Sequence, residues 1–306
     1  MNKRPIIIDT DPGIDDAVAI AVALNSDKLD VRLITTVAGN VDVSKTTSNA
    51  LKILKFFNKS IPVAKGCQGH ILKPTVSAAN VHGESGMDGY DFEEGDKSNL
   101  LPYSAVEAMR KTILESKEKI TLVAIGPLTN IALLLILYPE VKNNIEEIAM
   151  MGGTTGRGNF TPMGEFNAAS DPEATEVVFS SGLPITMLGL DVGLKALVYP
   201  DDSKEIRGYN KTGLMIYSLF QHYRSHGLAN GLKMYDSCAI SYLLCPEMYT
   251  FQDTYVAVDT NKGLTYGMTV ADLKGYMKMS PNVKVALDID GDLFRKWLKD
   301  AIKVCK

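Results

Sequence analysis

The 306-residue sequence predicts an α/β protein built on a mostly parallel sheet flanked by helices. Three observations carry that expectation. The first 190 residues alternate short aliphatic runs with longer amphipathic ones. The aliphatic runs are nearly continuous in Ile, Val, Leu, Thr and Met, as in strands buried on both faces of a parallel sheet. After Tyr199 the rhythm changes to helices and then to a hairpin. Strands that alternate with helices argue for parallel pairing.

Strands are expected over residues 5–11, 31–40, 61–66, 120–126, 147–153 and 185–191. Between them, Ile14, Ala17, Val18, Ala21 and Val22 share one helix face, as do Ala50, Leu51, Leu54 and Phe57. Residues 67–102 are rich in Gly, Asp, Glu and Ser and too long for an ordinary connection, so they read as a functional loop. Residues 154–170 are similar. Helices follow near 213–225 and 237–244, then a hairpin over 255–270 turning through Asn261-Lys262-Gly263. A strand over 283–289 and a closing helix from about Asp292 finish the chain. No repeat, low-complexity tract or linker divides it, so residues 1–306 read as a single domain.

Composition excludes several classes. At 45% hydrophobic and 22% charged, with a net charge of −4, the chain is not of the disordered type. Its 32 basic residues against 36 acidic ones leave no cationic excess to grip a nucleic-acid backbone. The longest apolar runs, 17–24 and 131–138, fall far short of the roughly 20 residues of a membrane span. Only Ile6–Ile8 is apolar before Asp9, too little for a secretory signal. Four cysteines without a CxxC pair suit reduced thiols. The expectation is a cytoplasmic protein without nucleic-acid or membrane partners.

The most informative segment is Ile6-Ile7-Ile8-Asp9-Thr10-Asp11-Pro12-Gly13-Ile14-Asp15-Asp16. A buried strand runs into a Pro-Gly turn and a helix, where an open α/β sheet binds its ligands. Aspartates at a helix start cap amides and complement the dipole, which accounts for one or two carboxylates. It does not account for four. Crowded like charges raise each other's pKa values unless a positive charge intervenes. No Lys or Arg lies between Arg4 and Lys28, so a metal ion is the obvious counter-charge. Oxygen ligands alone favour Ca²⁺ or Mg²⁺ over zinc. The EF-hand is excluded, because its Gly at position six and Glu at position twelve are missing.

Other near-motifs fail. Gly153-Thr154-Thr155-Gly156-Arg157-Gly158 is followed by Asn159 and Phe160 where a phosphate loop needs Lys and Ser/Thr. Gly83-Glu84-Ser85-Gly86-Met87 has Met87 in place of the last glycine of a nucleophile elbow.

The segment DTDPGIDDAVAI resembles the N-terminal signature of the nucleoside hydrolases, the inosine–uridine-preferring family. Further family motifs follow in order: TTVAGN, VHGESGMDG, GPLTNIA, MMGG, GNFTPMGEFNAASDPEA, YDSCAI and GMTVAD, so that the similarity runs from residue 4 to about residue 300. The resemblance implies an open Rossmann-like sheet with an additional helical flap region and the C-terminal β-hairpin. It implies Ca²⁺-dependent cleavage of the N-glycosidic bond of ribonucleosides, and a homodimer or homotetramer.

By the same resemblance, Asp11, Asp16 and Asp236 are the carboxylate ligands of calcium, with the backbone carbonyl of Ile125. Asp11 also matches the general base that activates a metal-bound water. Asp15 and Asn40 match residues near the ribose 2′-hydroxyl. Asn159, Glu165 and Asn167 match those holding the ribose and its 5′-hydroxyl, with Met151 beside them. Asp9 matches an acidic position behind the ligands, and His82 lies on the long loop bordering the site. The residue types suit the chemistry, since glycosidic cleavage builds positive charge on the sugar.

One position departs from the pattern. Many family members have a histidine immediately before the last metal-ligand aspartate, where it protonates the leaving base; here it is Tyr235. A tyrosine with a reference pKa near 10 donates a hydrogen bond but is a weak proton-transfer acid at neutral pH. Three arrangements stay open: Tyr235 as donor, His226 or His82 swinging in, or stacking of the base between Tyr235 and Tyr223. Two other readings are carried beside the hydrolase. One is a catalytically weakened nucleoside or ribose binder. The other is a Mg²⁺-dependent phosphohydrolase suggested by Asp9-x-Asp11, which leaves Glu165, Asn167 and Asp236 unexplained.

Overall fold

Ile6 and Ile8 point to one face of a central sheet and Ile7 to the other, and all three are fully buried. That period-two alternation between two apolar layers is what a continuous aliphatic strand requires. The computed structural model describes residues 3–75, 77–223 and 230–305.

The sheet has eight strands: β1 (Arg4–Thr10), β2 (Leu29–Thr36), β3 (Val63–Lys65), β4 (Ile120–Ala124), β5 (Ile145–Met151), β6 (Ile185–Leu188), β9 (Tyr249–Thr254) and β12 (Val283–Ile289). Their order is β3-β2-β1-β4-β5-β6-β12-β9, and every pair is parallel except β12–β9. Strand order reverses between β1 and β4, so their carboxyl ends flank a crevice of the kind where such sheets bind ligands. Two short antiparallel pairs lie outside the sheet, β7 (Leu197–Val198) with β8 (Leu232–Lys233), and β10 (Val256–Val258) with β11 (Thr269–Ala271).

One face is covered by α1 (Ile14–Asn25), α2 (Val43–Phe56), α10 (Lys211–Phe220), α11 (Ser237–Leu244) and α12 (Gly291–Val304). The opposite face is covered by α4 (Ala105–Glu115), α5 (Thr129–Leu137) and α7 (Pro172–Phe179). Short helices α3 (Ala79–His82), α6 (Phe166–Ser170), α8 (Leu190–Gly193) and α9 (Pro200–Arg207) sit in the connections. Side-chain caps set several starts: Asp42 accepts from Ser44 and Lys45 N–H before α2, and Asp290 from Asp292 and Leu293 N–H before α12. Among the described residues no helix is long and apolar enough to cross a membrane.

All six expected parallel strands form, each ending one to four residues short of the expected carboxyl end. The hairpin pairs as 256–258 with 269–271. The helix expected over 213–225 runs from Lys211 to Phe220 instead, capped by the Asn210 side chain on Gly213 N–H; residues 224 and 225 lie outside those described. The edge strand β9 carries no sequence expectation. Its YTFQDT alternates poorly, since only Tyr249 and Thr254 are buried, and its register comes from β12.

Helix α12 docks through Phe294, Leu298 and Ile302, all fully buried at four-residue steps. Leu298→Ala removes apolar contacts that surrounding backbone cannot refill. It is expected to cost about 2–5 kcal/mol in urea unfolding, with exposed Lys296→Ala within about 0.5 kcal/mol of the parent. Equal midpoints for both variants would show that α12 does not anchor the fold.

Candidate active site

The carboxyl ends of β1, β2, β4 and β5 deliver the polar groups one by one. After β1 come Asp11, Asp15 and Asp16; after β2, Asn40; after β4, the Ile125 carbonyl; at the end of β5, Met151. Glu165 and Asn167 enter from α6, Asp236 from the start of α11, His82 from α3 and Tyr223 from beyond α10. These groups apart from Asp16, with Asn159 and Tyr235, line one cavity of about 110 Å³.

Asp11, Asp15, Asp16 and Asp236 are all at most 4% exposed. Asp16 is held by Thr10, whose hydroxyl donates at 2.5 Å, and by Gly13 N–H at 2.9 Å. The Asn40 N–H donates to Asp11 Oδ2 at 2.6 Å, and its amide nitrogen donates to the Asp11 carbonyl and to Asp16 Oδ2 at 3.1 and 3.2 Å. The turns leave no room for side chains: a Cβ on Gly39 would lie 2.0 Å from Asp11 Oδ2, and one on Gly126 2.7 Å from Asp11 Oδ1.

Burial pushes the Asp11 carboxyl well above the usual range, and the charges of Asp16 and Asp15 add to it. Asp236 is raised in the same sense by burial and by the charges of Asp15, Asp16 and Asp11, and its hydrogen bond to Asp16 adds to the rise. Oxygens of Asp15, Asp16 and Asp236 come within 4.8 Å of one another, so this group could hold a metal ion. Asp11 stands outside that trio but lines the same cavity, and its Oδ1 is buried with no hydrogen-bond partner among the described residues. A cation fits such a set: every donor is oxygen, and a positive charge would replace the retained protons. Behind the ligands, burial raises Asp9 to about 7 despite hydrogen bonds from Thr35 and Asn130 at 2.6 and 2.8 Å.

On the other wall, the Glu165 carboxylate caps α6. Its Oε1 accepts from Asn167 N–H, and its Oε2 accepts from Gly153 and Ala168 N–H. Burial outweighs these bonds and raises its pKa to about 7. The Asn167 amide donates to the Met151 and Ile125 carbonyls at 3.0 and 3.3 Å. Exposed Asn159 accepts from Phe166 N–H at 2.9 Å, at the mouth.

His82 is 5% exposed and accepts a hydrogen bond at Nδ1 from Ile14 N–H, so its neutral ring carries the proton on Nε2. Its Nδ1 is 3.9 Å from Asp15 Oδ1, too long for a hydrogen bond. The ring packs tilted against Tyr223, centroids 5.4 Å apart. Tyr235 lies so close over α8 that a Cβ on Gly193 would meet its ring at 2.3 Å. His226 lies outside the described residues.

Every described residue expected in the site except Asp16 lines the cavity, and Asp16 reaches its neighbours through Asn40, Thr10 and Asp236. The sequence pattern gave no separate weight to Phe166, Ala78 and Val81, which also line it, or to Thr10, Thr35 and Asn130, which hold the carboxylates. The available signal was position, since Thr10 is flanked by acids and Thr35 and Asn130 fall inside quoted motifs.

Residues 6–296 match the profile of the family described as inosine-uridine preferring nucleoside hydrolase. The chain belongs to that family. It is a nucleoside hydrolase, similar at 52% identity over 300 residues to a non-specific ribonucleoside hydrolase of Klebsiella pneumoniae (strain 342), covering 98% of each chain. Among solved structures, it resembles a purine-preferring ribonucleoside hydrolase from Gardnerella vaginalis, at 29% identity and a TM-score of 0.89, covering 98% of this chain and 100% of that one. An inosine-guanosine nucleoside hydrolase superposes with a TM-score of 0.93 at 27% identity, covering 99% of each chain. The phosphohydrolase reading is thereby displaced.

Linkage gives the hydrolase's Glu165 a test. Its folded pKa of about 7 exceeds the reference 4.5, so the fold holds a proton that the unfolded chain releases. Stability is therefore lost as pH rises between those values, and the full penalty is present above about 7. In chelator, Glu165→Gln is expected to gain on the parent by roughly 2–3 kcal/mol between pH 5 and pH 8 in urea unfolding. An unchanged difference would show that Glu165 is not held in a desolvated site.

Proposed function

We propose that this nucleoside hydrolase, read as a single domain over residues 1–306, cleaves the N-glycosidic bond of ribonucleosides to free base and ribose with the help of Ca²⁺. Asp11, Asp16, Asp236 and the Ile125 carbonyl would hold the ion. The observation that carries this reading is the buried carboxylate group with Asp11 Oδ1 unpartnered at the cavity wall. When bound, Ca²⁺ supplies Lewis acidity to a water and to the ribose diol, and accepts six to eight oxygens.

Asp11 takes the proton of the water that attacks C1′. Asp15 and Asn40 orient the 2′-hydroxyl, while Asn159, Glu165 and Asn167 grip the rest of the ribose, including the 5′-hydroxyl, with Met151 beneath. As the bond breaks, positive charge grows on the sugar, and groups fixed in advance stabilise it without reorganising. At the base end, the Tyr235 hydroxyl and the His82 Nε2–H are donors toward the leaving group, Tyr223 is an aromatic wall, and His226 belongs to the same end of the proposal. The chain is proposed to work as a cytoplasmic homodimer or homotetramer, with no nucleic-acid or membrane partner.

A chromatographic panel of inosine, uridine, cytidine, adenosine and guanosine, with and without chelator, tests reaction, metal and base range together. Free base is expected with Ca²⁺ and none after exhaustive chelation. Unchanged turnover after chelation would overturn the metal assignment, and tight nucleoside binding without turnover would favour the weakened binder. Calorimetric Ca²⁺ titration of the metal-free protein in buffers of different ionisation heat should detect proton release, because the cation displaces retained protons.

Asp11→Asn keeps the shape but cannot accept a proton. A fall in kcat of roughly 10²–10⁴ is expected, with folding retained by circular dichroism. A variant within tenfold of the parent would remove Asp11 from the base role.

A further inference from the structure

The β10–β11 hairpin lies outside the central sheet, yet the Thr269 side chain on it is 1% exposed and its hydroxyl is used twice. It accepts from Thr154 N–H at 2.8 Å and donates to the Thr154 carbonyl at 2.7 Å. One hydroxyl therefore satisfies both backbone groups of a single buried residue, at the start of the long connection from β5 to α6.

The neighbours of Thr154 are held just as individually. Gly153 N–H donates to Glu165 Oε2 at 2.8 Å, and the Gly153 carbonyl accepts from Leu190 N–H at 2.8 Å. Thr155 N–H donates to Asp191 at 2.8 Å. Gly153 has φ +73, a conformation that side chains rarely adopt, and a Cβ there would stand 3.1 Å from Thr269 Oγ1. Leu190 and Thr269 thus hold the same peptide unit, one at the Gly153 carbonyl and the other at the Thr154 N–H, and so fix the chain on the carboxyl side of Gly153, whose own N–H reaches Glu165. That amide is one of three on the Glu165 carboxylate.

The hairpin touches the far end of the same connection as well. Gly267 (φ +85) abuts α6 so closely that a Cβ would lie 2.7 Å from that of Ala169. The Tyr266 hydroxyl donates to Glu173 at 2.6 Å. Both ends of the segment that carries Glu165 and Asn167 are therefore braced by one hairpin.

We infer that Thr269 is a positioning residue for the sugar end of the site, orienting Glu165 toward the ribose 5′-hydroxyl through Thr154 and Gly153. This rests on the proposed placement of Glu165 at that hydroxyl. Loss of the clamp frees the Gly153–Thr154 backbone and lets the carboxylate drift, weakening the contact it makes with the 5′-hydroxyl and little else. Thr269→Val keeps the shape and removes both hydrogen bonds; Thr269→Ser keeps the hydroxyl.

The test is kcat/KM for inosine and uridine against their 5′-deoxy analogues. Thr269→Val is expected to lose roughly tenfold on the ribonucleosides, the scale of one or two net hydrogen bonds, and less than twofold on the analogues. Thr269→Ser should recover to within about threefold of the parent, since it restores both bonds. Equal losses on both substrate classes would overturn the inference in favour of a purely structural role. Glu165→Gln separates the two layers. If it erases discrimination for the 5′-hydroxyl while Thr269→Val leaves it intact, the positioning role fails and Glu165 stands. If Glu165→Gln leaves discrimination unchanged, the placement of Glu165 fails and the inference with it. Should Thr269→Val not fold, Thr269→Ala carries the same expectations.

Discussion

Four buried carboxylates, three after one strand and the fourth at the start of α11, are the constraint around which this molecule is arranged. Burial raises the proton affinity of Asp11 and Asp236, and the charges of neighbouring aspartates raise it further. Such a cluster would push a loosely built turn apart. It persists because its oxygens are tied to backbone and hydroxyl donors: Thr10 and Gly13 to Asp16, and Asn40 to both Asp11 and Asp16. The glycines at 39 and 126 let the neighbouring chain close over Asp11. The residual excess of negative charge is an electrostatic demand that a cation could meet.

The sheet explains why that cluster can exist at all. Ile6, Ile7 and Ile8 are locked between two apolar layers, so the chain leaves the sheet after Thr10 in a fixed direction. Because strand order reverses at β1, the connections from β1 and β4 part company there, and the crevice between them receives groups from both sides. Asn40 and the Ile125 carbonyl arrive by this geometry. Asp236 arrives on α11, which packs against α1 through Cys238, Ala239 and Ile240.

Much of this was legible in the sequence, for separable reasons. Aliphatic runs report strands buried on both faces, and all six such runs in the first 190 residues form parallel strands. The carboxylate turn was legible because four acids without a nearby base have no bland explanation. What stayed hidden depended on partners distant in the chain. Strand β9 takes its register from β12, and the polar Gln252 and Asp253 blur its alternation. Thr35 and Asn130 sit 95 residues apart and look like ordinary strand and helix residues until both donate to Asp9. Thr269 reads as one more β-branched hairpin residue, because its two bonds go to a backbone 115 positions away.

The two ends of the cavity are built from different material, and that difference bears on specificity. The sugar end stands on strand termini and on a helix start, with Glu165 receiving three amide donors and Asn167 spanning two carbonyls. Groups so fixed suit the part of a nucleoside that every substrate shares. The base end is made by side chains from connections, His82 on a four-residue helix and Tyr223 beyond the end of α10, resting on each other through their rings. Ring contacts tolerate several arrangements, offset or edge-on, so in the proposed function this end would adapt to bases of different outline. Tyr235 extends the same logic. Seated on Gly193, it contributes a flat face together with a hydroxyl, whereas a histidine there would contribute mainly a proton. In the proposed function, Tyr235 would exchange strength of leaving-group protonation for a broader, more neutral surface, and catalysis would lean correspondingly on the fixed charges around the ribose.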